Sequence, residues 1–65
     1  MIIIMKANAT NNDIEAVLTR LSNGGWKTHV SKGEERTIIG VIGDERRLDQ
    51  GAMSRLEGVD MTRIL

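Results

Sequence analysis

Cysteine, proline, phenylalanine and tyrosine are all absent from this 65-residue chain, which has one tryptophan and one histidine. Without Cys there is no disulfide and no thiolate metal site, a composition that suits a reducing, cytoplasmic setting. A single aromatic residue cannot build the stacking platforms on which single-stranded nucleic acids are held. Nine acidic residues balance nine basic ones, which argues against nucleic acid as the main partner. No apolar run approaches the length of a membrane span. Met1-Ile2-Ile3-Ile4-Met5 is too short for a secretion signal and lacks its basic flank. A chain of this length holds one domain, near the lower limit of what a hydrophobic core sustains alone.

What the chain does have is a succession of short apolar segments with distinct periods. Ile2-Ile3-Ile4-Met5 reads as a buried strand. Thr10 and Asp13 resemble a helix-start box, with Asp in place of the longer Glu or Gln. Ile14, Val17, Leu18 and Leu21 then fall at i, i+3, i+4 and i+7, one stripe of a helix. Asn23-Gly24-Gly25 stops it. Residues 26–30 form a second strand, with Trp26, Thr28 and Val30 on one face and Lys27, His29 and Ser31 on the other. A turn at Lys32-Gly33-Glu34 leads into a third strand over 36–42, which Gly43-Asp44 breaks. A second helix is expected over 45–56, with Leu48, Ala52 and Leu56 inward and Met53 beside them. Gly51 weakens it by about 1 kcal/mol relative to Ala. After Gly58, residues 59–65 make a last strand in which Val59, Met61 and Leu65 alternate.

The order β-α-β-β-α-β predicts an α+β fold of the ferredoxin-like type: a four-stranded antiparallel sheet, first and third strands central, both helices on one face. The central strands are apolar on both sides, with Ile2, Ile4, Ile38 and Ile42 opposing Ile3, Met5, Ile39 and Val41. Two helices cover one face only. The other would expose an apolar patch of a kind soluble monomers rarely tolerate, so a homo-oligomer through the open sheet face is expected.

His29 and Ser31 stand on one side of the second strand, with Cα atoms roughly 7 Å apart, a spacing at which one small polar group can touch both. A neutral imidazole both donates and accepts. A metal site is not indicated, since with no second His and no Cys only carboxylates could complete one. A nucleophilic couple is not indicated either, because side chains two apart on a strand run parallel and no acid orients the ring. Taken alone, His29 reads as a surface residue before a ligand contact. The charged run Lys32-Gly33-Glu34-Glu35-Arg36 reads as a solvated hairpin turn, and no phosphate-cradling signature is present. Trp26 reads as a core or interface anchor.

The segment Thr28-His29-Val30-Ser31-Lys32-Gly33-Glu34-Glu35-Arg36-Thr37-Ile38-Ile39-Gly40-Val41-Ile42-Gly43-Asp44 resembles the N-terminal regulatory domain of bacterial DAHP synthases that carry a ferredoxin-like, ACT-like extension. The Ile-rich first strand, the capped helix and the closing strand agree with it. Ala7-Asn8-Ala9 lacks the Pro-Gly expected in that loop, and Gly51 interrupts the second helix. The resemblance implies that residues 1–65 are a single regulatory domain of a transferase whose catalytic barrel, absent here, condenses phosphoenolpyruvate with erythrose phosphate at the head of the shikimate pathway. It implies an effector, tyrosine or phenylalanine, bound where domains of different subunits meet, closing access to the barrel as feedback inhibition. It matches His29 and Ser31 to the positions that meet the effector's phenol hydroxyl. The expected role is allosteric effector binding, with no catalysis, no cofactor in this domain, and partners limited to effector, barrel and further copies. The competing expectation is a ferredoxin-like oligomerisation module with no small-molecule ligand.

Overall fold

The computed structural model describes residues 1–64, and of Glu45 the backbone alone. Strand β1 (Ile2–Met5), helix α1 (Asn11–Asn23), strands β2 (Lys27–Lys32) and β3 (Thr37–Ile42), helix α2 (Gln50–Ser54) and strand β4 (Val59–Arg63) follow in order, with a 3-10 turn at Glu45–Arg47 ahead of α2. The strands make one antiparallel sheet in the order β2-β3-β1-β4. Its central pair, β1 and β3, is the β-branched pair, whose side chains fit a pleated surface best. This is the ferredoxin-like arrangement anticipated from the pattern.

Helix α1 starts where Thr10 and Asp13 cap each other. The Thr10 hydroxyl accepts the Asp13 N–H at 3.1 Å and the Asp13 carboxylate accepts the Thr10 N–H at 3.0 Å. Aspartate therefore completes the box despite its shorter arm. Ile14, Val17 and Leu21 bury against Met1, Ile3, Met5, Ile39 and Val41, while Leu18 packs at the margin. At the far end Gly25 adopts φ +87°, a left-handed turn that a β-carbon would strain, and the Trp26 N–H returns to the Leu21 carbonyl at 3.0 Å.

Three expectations are corrected. The second helix does not run over 45–56. Asp44 accepts the Arg46 N–H at 3.1 Å and holds a separate 3-10 turn, and Asp49, extended at φ −79° and ψ 97°, caps a new helix by accepting the Ala52 N–H at 3.0 Å. Two caps within the expected helix divide it. Met53 is the residue of α2 that buries fully, while Leu48, Ala52 and Leu56 are half-buried. The hairpin loop is wider than a Lys32-Gly33-Glu34 turn: β2 pairs through Lys32 with Thr37, and the Gly33 N–H donates to the Arg36 carbonyl at 2.9 Å.

The alternation of β4 also shifts. Ile4 faces Met61 but Met5 faces Val59, a bulge that leaves Asp60 unopposed. Val59 thereby joins the helix-covered core and Met61 goes to the other side. Leu65, expected to continue that strand, lies outside the described residues.

Candidate functional site

Period-two alternation sets the two sides of the sheet apart. Thr28 and Val30 of β2 turn toward the helices and are half-buried, whereas Lys27, His29 and Ser31 are exposed. The register then aligns the open side into rows. His29 stands opposite Gly40, Gly40 opposite Ile2, and Ile2 opposite Arg63. Beside this row run Ser31, Ile38, Ile4 and Met61. Lys27 and Ile42 begin a third. Two polar side chains at the β2 edge thus border an apolar floor.

No element of the described chain covers that floor. Ile38 is 40% exposed, Met61 42% and Ile42 59%, against 0% for Ile3 and Ile39 on the helix side. At its centre Gly40 lacks a side chain. A β-carbon there would sit 3.6 Å from the His29 carbonyl oxygen and 3.9 Å from the His29 Cβ. There is room for a methyl group, so bare backbone leaves a shallow dip beside the imidazole. At the end of the sheet Arg36, just before β3, forms an ion pair with the bulged Asp60, reaching past the β1 terminus.

The His29 and Ser31 side chains make no hydrogen bond to other described residues. Their donors and acceptors therefore remain directed at whatever lies above the sheet. Among the described residues, no three His, Cys, Asp or Glu gather as metal ligands, and no pocket encloses the face. The chemistry on offer here is apolar contact from Ile2, Ile4 and Ile38 beside the hydrogen-bonding groups of His29 and Ser31.

Trp26 takes no part in this face. Its ring packs tightly on Gly43, where a β-carbon would come within 2.4 Å of it, and the Arg47 guanidinium lies 5.7 Å from the ring centre. It is an anchor between α1 and the turn after β3. Near that turn the Arg46 guanidinium, and then the Arg46 backbone N–H, hold the Asp44 carboxyl below the usual carboxylate range. Alternation in the sequence puts His29 and Ser31 on one face of β2 without saying which face is uncovered, and it gives no sign of Gly40 or Arg63 beside them. Their signal was the cross-strand register, which could be counted outward only once the loop and the bulge were fixed.

A βαββαβ sandwich with one bare apolar sheet face defines a ferredoxin-like α+β domain. Residues 1–64 match the family model for the DAHP synthase ferredoxin-like domain. The phospho-2-dehydro-3-deoxyheptonate aldolase of Thermotoga maritima is 38% identical over 66 residues, spanning 100% of this chain and 20% of that protein. A crystal structure of the Thermotoga maritima DAHP synthase superposes with a TM-score of 0.86 at 37% identity, over 98% of this chain and 19% of that one. The chain belongs to the DAHP synthase ferredoxin-like domain family, and it spans about a fifth of the length of the curated relative it matches. No helix among the described residues is long and apolar enough to cross a membrane.

Proposed function

We propose that this domain is the allosteric effector-binding module of a DAHP synthase, taking tyrosine, with phenylalanine as the weaker ligand, on the open face of its sheet. The observation that carries the reading is the shared exposure of His29 and Ser31 at the border of an apolar floor. A phenol hydroxyl both donates and accepts, as do the two protein groups. The aromatic ring gains by leaving water against Ile2, Ile4 and Ile38.

Magnitudes suit a ligand-dependent assembly. Burying about 500 Å² of apolar surface in total, shared between two copies, is worth roughly 12 kcal/mol at ~25 cal/mol per Å². Association and ordering cost on the order of 4–15 kcal/mol. The two nearly cancel, so a small molecule bridging the interface decides whether two domains stay together. In a full-length enzyme, that pairing would close access to the catalytic barrel, and the reaction of phosphoenolpyruvate with erythrose phosphate would slow. The domain itself performs no step of that reaction.

Calorimetric titration tests this at chain concentrations where the domain is assembled. His29→Ala should weaken tyrosine binding roughly ten-fold, the size of one hydrogen bond, and phenylalanine binding less. Unchanged tyrosine affinity in the variant would contradict the proposal. The bare apolar face also supports a second reading, an assembly module without a ligand. Under that reading, light scattering shows oligomers that neither amino acid perturbs.

A further inference from the structure

The row that begins at His29 ends in a cation. His29, Gly40, Ile2 and Arg63 are successive cross-strand partners over all four strands. Three interstrand steps of ~4.8 Å separate the first Cα from the last by about 14 Å. With strand side chains standing roughly perpendicular to the sheet, the imidazole and the guanidinium stay about that far apart, on the order of the length of one tyrosine with a hydrogen bond at each end. Ser31, by contrast, faces Ile38, whose side chain blocks the neighbouring row at the same height. A ring whose hydroxyl sits at the β2 edge therefore lies over the bare Gly40, with its amino-acid end pointing across Ile2.

That end carries a carboxylate, and the face offers three cations for it. Lys27 shares β2 with His29 and sits at the hydroxyl end. Arg36 is held by Asp60. Arg63 is exposed and has no carboxylate partner among the described residues. We infer that Arg63 receives the α-carboxylate of the effector, an assignment that rests on reading His29 and Ser31 as the hydroxyl site. A guanidinium grips a carboxylate through two parallel hydrogen bonds, and this fixes the ligand's orientation as well as its affinity.

The test uses three probes on the whole chain: tyrosine, tyramine, which lacks the carboxylate, and para-hydroxyphenylpropionate, which keeps it but lacks the ammonium. Arg63→Ala should weaken tyrosine and para-hydroxyphenylpropionate roughly ten- to a hundred-fold, the size of a charged hydrogen-bond pair, and leave tyramine nearly unchanged. Arg63→Lys should recover part of the loss, since it keeps the charge without the fork. Gly40→Val, which fills the dip and suits a strand, should weaken all three probes alike. If Arg63→Ala leaves the preference for tyrosine over tyramine intact, the assignment is wrong while the hydroxyl site stands. If Gly40→Val binds as the wild type does, the ring does not follow this row and the assignment loses its geometry. If the wild-type chain binds none of the probes, the hydroxyl site falls and Arg63's role falls with it.

Discussion

Ile39 and Ile38 are neighbours in one central strand with the same side chain, yet one is 0% exposed and the other 40%. The same contrast separates Ile3 from Ile2 and Ile4 in β1. On the helix side, Ile14, Val17, Leu21 and Met53 supply the cover that such residues require. On the open side the chain supplies no such cover, and Ile38, Ile42 and Met61 stay partly exposed. The proposed contact with an effector or a second copy is what would cover them.

Substitutions across this divide should give unequal results. Ile39→Ala removes buried volume and should cost about 2–5 kcal/mol, a large share of the stability of a domain this small. Thermal unfolding would show it as a much lower midpoint. Ile38→Asp should leave the monomer folded and instead abolish association in light scattering, because a charge cannot be buried unpaired between two apolar faces. Equal destabilisation by the two would erase the distinction between the faces.

The smallest effect lies away from both faces. Asp44 is held below its ordinary value of 3.8 by Arg46. The ionised form is thus favoured in the folded state, and its contribution is present above that value and lost as pH falls through the lower folded one. Because the group is exposed, salt and solvent screen the effect. Asp44→Asn should change stability slightly at neutral pH and flatten only the acid limb of a pH titration followed by unfolding.

How far the residues spoke for themselves depended on whether a signal was local. The helix stripe from Ile14 to Leu21 and the Thr10–Asp13 box were legible because every partner lies within a few positions. The alternation in β2 placed His29 and Ser31 on a common face for the same reason, though which face lies open is set by distant helices. The second helix was misread because apolar spacing cannot reveal that Asp44 and Asp49 each start their own turn. The last strand was misread because a bulge at Asp60 has no marker in its own sequence and depends on the pairing with β1. The far end of the candidate site was hidden by the same gap, since Arg63 meets His29's row only through two intervening strands.

Methyl-resolved NMR of the isoleucines during a tyrosine titration tests the central claim most directly, because both faces report in one spectrum. The account predicts that Ile2, Ile4 and Ile38 shift progressively and saturate, while Ile3, Ile14 and Ile39 stay nearly still. Saturable shifts confined to the helix-side methyls, or none at tyrosine concentrations up to its solubility, would contradict it.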